Sequence, residues 1–168
     1  MSGSSSTAPP AADDVELLKG YYLDPATGAW LTLPWPADLA ELPPSLFPQI
    51  YRWCLGQRTP TTPALEGPRL IHHLTGDPWE FTVAQRRLLH LWWAVRPDGR
   101  WLYRSGVKRG AKGTGKDPLA ASMSVIAAAG PVEFDGFDRD GRPVGRPRRM
   151  ALVQLAANSE AQAGDVLR

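Results

Sequence analysis

Cysteine is almost absent from this chain of 168 residues, since Cys54 is the only one. A single thiol excludes an internal disulfide and a metal site built from several cysteines. Long apolar runs are also missing, and no stretch approaches the roughly 20 residues that a helix needs to span a bilayer. The amino terminus lacks the basic start and apolar run of a signal peptide. We therefore expect a soluble, intracellular protein in which Cys54 is a small buried apolar residue.

Net charge is small, because 19 lysines and arginines against 17 acidic residues leave +2. The charge is nevertheless unevenly spread. Residues 1–45 carry one lysine and six acidic side chains, a net charge of −5, so the remaining residues carry +7. A basic body permits contact with a polyanion such as nucleic acid, although a solvated charged surface has the same composition.

The amino-terminal part of the chain offers only short, interrupted elements. Residues 1–14 are small, polar and proline-containing, which predicts disorder. Residues 21–35 place aromatic side chains around the turn signal DPATG, which predicts a short hairpin or a wrapped arm. Residues 46–55 predict a short helix, and the Pro- and Thr-rich residues 59–68 predict a loop.

Periodicity is clearer in the remainder of the chain. Thr82 is a suitable N-cap with Gln85 at capping-box spacing, so a helix should begin there. Residues 101–108 predict a short strand, and 117–129 an Ala-rich helix. Residues 133–149 predict an exposed hairpin, and 150–157 a buried strand before a helix from residue 159. The apolar stripe expected on the first of these helices consists of Leu88, Leu89, Leu91, Trp92 and Val95.

From residue 101 the predicted order is strand, Gly-rich loop, helix, connection, strand and helix. This order is typical of an α/β fold with a parallel sheet. We therefore expect a partial P-loop NTPase, a parallel sheet with flanking helices, preceded by an irregular, partly helical amino-terminal region. The expected divisions are a disordered tail at 1–14, an arm or lid at 15–76 and the incomplete ATPase domain at 77–168.

The motif that carries chemistry reads GAKGTGK, between the predicted strand and the predicted Ala-rich helix. A phosphate-binding loop needs bare backbone, amide groups at a helix N-terminus and a lysine that reaches the terminal phosphates. Three glycines and the final lysine meet these needs, so we predict a nucleotide-binding loop, with a flexible surface turn as the alternative. The predicted nucleotide-binding residues of the loop are Gly110, Ala111, Lys112, Gly113, Thr114, Gly115 and Lys116.

The residue after the lysine departs from the usual motif, because Asp117 stands where Ser or Thr normally ligates Mg²⁺. A carboxylate can ligate the ion directly or through water, or it can repel the phosphates. Asp117 is therefore the predicted metal ligand and a further nucleotide-binding residue. Gln85 has two interpretations: its amide can pair with an adenine edge, or it can complete the capping box with Thr82. Spacing alone favours the capping box.

Three segments together resemble the large terminase subunit of tailed bacteriophages, in the form found in actinobacterial phages. They read DPWEFTVAQRRLLHLWW at 77–93, VKRGAKGTGKDPLAA at 107–121 and ALVQLAANSEAQA at 151–163. The resemblance implies an amino-terminal ATPase domain of a DNA-packaging motor. It also implies that Gln85 contacts adenine, that Lys116 is catalytic, and that Lys112 takes the place of a basic residue proposed to act on the γ-phosphate.

The same resemblance implies ATP and Mg²⁺ as cofactors and double-stranded phage DNA as substrate. The implied partners are the portal and the small terminase subunit, within a homo-oligomeric ring in the host cytoplasm. An ATPase also needs an apolar strand that ends in Asp-Glu, and none follows Lys116. We therefore expect the front part of a terminase, without hydrolysis by this chain alone. An unrelated P-loop kinase or small NTPase, or a non-enzymatic interaction protein, remain the alternatives.

Overall fold

The computed structural model describes residues 42–72, 74–106, 108 and 115–154, together with the backbone of two short strands near the amino terminus. Those strands are β1 (Tyr21–Leu23) and β2 (Trp30–Thr32). The helices are α1 (Phe47–Cys54), α2 (Val83–Trp92) and α3 (Lys116–Ala129). Two further strands follow, β3 (Glu133–Phe137) and β4 (Pro143–Arg146). Predictions for residues 1–14 and for a helix from 159 fall outside this part of the chain.

Both strand pairs are antiparallel. Strand β1 pairs with β2, as the hairpin interpretation of residues 21–35 predicts, and β3 pairs with β4 with an irregular register at Phe134 and Gly136. The β3–β4 turn is closed by the carboxylate of Asp138, which accepts hydrogen bonds from the backbone N–H groups of Asp140 and Arg142. The predicted hairpin over 133–149 is therefore confirmed.

The prediction of an α/β fold with a parallel sheet is wrong. Within the described residues the strands form two separate two-stranded antiparallel sheets, so the chain does not have a P-loop NTPase fold there. Residues 101–106 form only one isolated bridge, between Trp101 and Val95. Residues 151–154 are exposed and belong to no strand, although apolar side chains there predicted burial. Short apolar runs suit a strand but do not supply a partner for its backbone.

The helices agree well with the sequence prediction. Helix α1 has proline in its first turn, where the missing N–H is harmless. Helix α2 begins with the predicted capping box: Thr82 Oγ1 accepts from Gln85 N at 3.3 Å, and Gln85 Oε1 accepts from Thr82 N at 2.9 Å. Helix α3 ends at Gly130 as expected. None of these described helices has the length and apolar character that crossing a bilayer requires.

One hydrophobic cluster joins the three helices and draws on both sides of the predicted boundary at residue 76. Its members are Leu46, Phe47, Ile50, Trp53, Cys54, Phe81, Leu89, Trp93, Val95, Leu119, Ile126 and Val132. Burial raises the pKa of the Cys54 thiol to about 12, which keeps it protonated and agrees with the predicted buried apolar role.

Two hydrogen bonds between Gln49 and Gly145 connect α1 to β4 across this core. The side chain of Gln49 is buried, its Oε1 accepts from Gly145 N at 2.7 Å, and its Nε2 donates to Gly145 O at 2.8 Å. An added Cβ on Gly145 would lie 2.1 Å from Pro131 O, so only glycine fits at this position. These two hydrogen bonds therefore satisfy both backbone polar groups of one buried residue.

The buried face of α2 differs from the predicted stripe. Arg87 and His90 are buried, whereas Trp92 is 40% exposed. One ring nitrogen of His90 is hydrogen-bonded, because Nε2 donates to Pro43 O at 2.9 Å. The other ring nitrogen, Nδ1, is buried without a hydrogen-bond partner among the described residues. Burial lowers the pKa of His90 from 6.5 to about 4, so the imidazole is neutral at pH 7.

We predict a pH-dependent stability that originates at His90. Between the two pKa values, 6.5 unfolded and about 4 folded, the unfolded chain binds more protons. The free energy of unfolding therefore falls as the pH drops from 6.5 towards 4, by up to about 3 kcal/mol. Urea unfolding at several pH values measures this loss.

The control for this prediction is His90→Gln, whose side-chain amide still offers a donor to Pro43 O but does not titrate. It should lose clearly less stability than the parent chain over the same pH range. Equal pH dependence of the two chains would show that His90 is not the responsible group.

Candidate functional site

The candidate site lies where the Gly-rich segment meets the start of α3. Gly115 stands at the N-cap position with φ 68° and ψ 32°, which is the left-handed conformation. That conformation is strained for most residues and open to glycine. The helix then begins directly at Lys116, so the predicted lysine is the first residue of the helix.

The start of α3 lacks the usual side-chain cap. Gly115 has no side chain, so it cannot accept a hydrogen bond from the first-turn amides as Ser or Asp would. Pro118 has no N–H, so the backbone N–H groups at the very start of the helix are those of Lys116 and Asp117. Backbone amides at a helix N-terminus, with the positive end of the helix dipole, favour an anion.

Gln85 lies beside Gly115, although 30 positions separate the two residues in the sequence. The Gln85 Nε2 atom is 3.7 Å from the position that a Cβ on Gly115 would occupy. Gln85 is buried, and its Oε1 is held by the amide of Thr82 in the capping box. The capping box thus fixes the side chain so that its amide nitrogen sits against the end of the Gly-rich segment.

The two interpretations of Gln85 are therefore compatible in part. The capping box is confirmed, and it uses one of the two acceptor positions on Oε1. A pairing with adenine needs one acceptor and one donor from the same amide. The second lone pair of Oε1 and the amide nitrogen provide these groups without breaking the helix cap.

The predicted site residues divide into two groups. Gly115, Lys116, Asp117 and Gln85 are brought together around the start of α3. Residues 109–114 lie outside the described residues, and with them the predicted roles of Gly110, Ala111, Lys112, Gly113 and Thr114.

Asp117 is the predicted metal ligand, and it is exposed in the first turn of α3. Within the described parts of the chain, no group of three His, Cys, Asp or Glu side chains is placed to hold a metal ion. A lone carboxylate fits a magnesium ion only if other oxygen ligands, such as nucleotide phosphates, complete the octahedral shell. The residues present are thus suited to a metal that arrives with a nucleotide.

One feature of the protein was missed by sequence reasoning. The end of α2, residues 101–106 and the end of α3 enclose an apolar cleft of about 540 Å³. Three tryptophans line the cleft, Trp92, Trp93 and Trp101, and of these Trp93 is buried and Trp92 is 40% exposed. The predicted apolar stripe of α2 contained Trp92 and not Trp93, so the sequence pattern favoured burial of the wrong one of the two.

Comparison with known proteins gives two phage relatives. Over 81 residues the chain is 47% identical to the Gene 13 protein of Mycobacterium phage L5 and 43% identical to the Gene 13 protein of Mycobacterium phage D29. Each aligned segment covers 48% of this chain but only 14% of the relative, so the chain matches about a seventh of their length. No protein-family model and no solved structure matches the chain.

We predict that Gly115→Ala destabilises the protein by roughly 1 kcal/mol, because alanine is strained at positive φ. The cost should be strain alone, since the new Cβ would meet only Gln85 Nε2 at an ordinary contact distance. Chemical denaturation measures it.

Two comparisons support the interpretation of that experiment. Gly115→Asn should cost less, because asparagine tolerates the left-handed region. Gly67→Ala serves as the control, since its Cβ would meet nothing within 4 Å and its φ is not positive. If Gly115→Ala and Gly67→Ala are equally neutral, the left-handed geometry at Gly115 is wrong.

Proposed function

We propose that the start of α3 binds the phosphate groups of ATP, accompanied by Mg²⁺. The supporting observation is the meeting of Gln85 with Gly115, immediately before Lys116 at the helix N-terminus. The residue implied by the resemblance to contact adenine thus lies beside the glycine that precedes the predicted phosphate-binding lysine. The proposal rests on this junction and not on a parallel sheet.

The chemistry of the junction supports binding rather than hydrolysis. Lys116 supplies a positive charge, the first-turn amides supply donors, and Asp117 supplies one oxygen ligand for a magnesium ion held by the phosphates. Phosphoryl transfer also needs a second acidic group that orients water and metal, and no apolar segment after Lys116 ends in Asp-Glu. Hydrolysis by this chain alone is therefore not part of the proposal.

At the level of the whole protein, we propose a role in packaging double-stranded DNA as part of a large terminase subunit. The resemblance of residues 77–93, 107–121 and 151–163 to that family supports this role, and so does the phage origin of both relatives. The basic charge of residues 46–168 is suited to contact with DNA. A ring at the portal, working with a small terminase subunit in the host cytoplasm, follows from the same resemblance.

We predict that Lys116→Ala weakens ATP binding at least about tenfold, because it removes a charge-assisted contact to phosphate. Isothermal titration with ATP and Mg²⁺ measures the affinity. Lys108→Ala is the matched control, since Lys108 is an exposed lysine on the other side of the Gly-rich segment.

The expected result is a loss in Lys116→Ala and near-normal binding in Lys108→Ala. Equal affinity of the parent chain and Lys116→Ala would refute phosphate binding by this lysine. If ATP does not bind to the parent chain at millimolar concentration, the Gly-rich segment is a structural turn in this protein.

We also predict that Gln85 sets the preference for adenine over guanine. Gln85→Glu keeps an oxygen acceptor for the amide of Thr82, so the cap and the fold should remain. The variant loses the amide donor, so the ratio of ATP to GTP affinity should fall towards one. Competition between the two nucleotides measures this ratio.

The ratio is more informative than the absolute affinity, because a new carboxylate near the phosphates weakens both nucleotides alike. Thr82→Ala is the control for the cap alone: it should cost about 1 kcal/mol of stability and leave the ratio unchanged. An unaltered ratio in Gln85→Glu would restrict Gln85 to its capping role.

A further inference from the structure

The apolar cleft lies away from the proposed phosphate site. Gln85 and Gly115 meet at the amino-terminal ends of α2 and α3, whereas Leu91 and Ala127 border the cleft near the carboxyl ends of the same helices. Ala127 lies eleven positions after Lys116, which corresponds to about 16 Å along the helix axis. The cleft is therefore a separate feature.

The floor of the cleft belongs to the core, and its rim is open to solvent. Trp93 and Val132 are buried at the floor, while Trp92 is 40% and Tyr103 51% exposed at the rim. Gly106 allows the chain to pass close to the Trp92 ring, because an added Cβ would lie 2.6 Å from Cζ3. Exposed aromatic side chains around an apolar depression are characteristic of sites that receive a partner's side chain.

In the described lining of the cleft, the charged side chains have one sign. Arg104 and Arg148 line it and are exposed, and no acidic residue is among its described lining. Shortly after Arg148 in the sequence, Met150 is 93% and Leu152 80% exposed. The occupant that complements this surface has an apolar body and flanking negative charge.

We propose that this cleft docks a peptide segment of a partner protein that carries a large apolar side chain between carboxylates. The apolar side chain would occupy the space above Trp93 and Val132, and the carboxylates would pair with Arg104 and Arg148. A peptide fits the open rim, with its exposed aromatic and arginine side chains, better than a small molecule does. The site does not depend on nucleotide binding at Lys116.

The test uses a dye-labelled peptide of about eight residues with tryptophan and leucine between aspartates, and fluorescence anisotropy with the full chain. Arg104→Glu combined with Arg148→Glu should weaken binding at least about tenfold, since attraction becomes repulsion. Arg139→Glu, a charge reversal in the exposed β3–β4 turn, should leave binding within about twofold after allowance for net charge. Lys116→Ala should bind the peptide normally.

A second pair of variants tests the apolar contact without altering charge. Ala127→Leu places a larger side chain in the cleft and should weaken binding several-fold, whereas Ala128→Leu, which is exposed and outside the lining, should not. Thermal unfolding of all the variants identifies any that fail to fold.

Four results would overturn the proposal. The first is absence of binding to the parent chain at millimolar peptide. The second is equal binding of a peptide with lysines in place of the aspartates. The third is normal binding by both the double arginine variant and Ala127→Leu. The fourth is binding of indole-3-acetate as tight as that of the peptide, which would make the cleft a small-molecule site.

Discussion

The pairing of the Gln49 side chain with the backbone of Gly145 connects α1 to β4 across the described core. One side-chain amide satisfies both the N–H and the carbonyl of this buried residue, as a neighbouring strand would. Removing one partner from such a pair would leave a buried polar group unsatisfied, at a cost of about 1–3 kcal/mol. Because Gly145 packs against Pro131, the pair also holds the segment after α3 against α1.

In the candidate site, a capping box formed by neighbouring residues also orients a side chain towards a distant part of the sequence. The capping box of α2 fixes Gln85, and the core packs α2 and α3 so that their first residues meet. Gln85 and Gly115 come together because Leu89, Leu119 and Ile126 share one apolar cluster. The helix-capping role and the proposed base-reading role of Gln85 therefore depend on the same side-chain orientation.

The parallel sheet predicted from the sequence was wrong for an identifiable reason. The apolar runs at 101–108 and 150–157 have the composition of strands, but a strand exists only when another strand satisfies its backbone. In the described residues 101–106 the pairing is limited to the isolated bridge between Trp101 and Val95, and residues 151–154 have none. The burial of Arg87 and His90 was also not predicted. A helical apolar stripe is identified from side-chain polarity, whereas tertiary contacts decide which face of the helix is buried.

The sequence by itself determined the local elements: the ends of α1 and α3, the start of α2 with its capping box at Thr82, the β3–β4 turn and the glycine before Lys116. Each depends on interactions within a few residues, such as a cap, a turn or a restricted backbone angle. Only the tertiary structure decided the Gln49–Gly145 contact, the approach of Gln85 to Gly115 and the basic apolar cleft. Those features join residues from 30 to 96 positions apart, and their energies come from burial and from partners that no local pattern specifies.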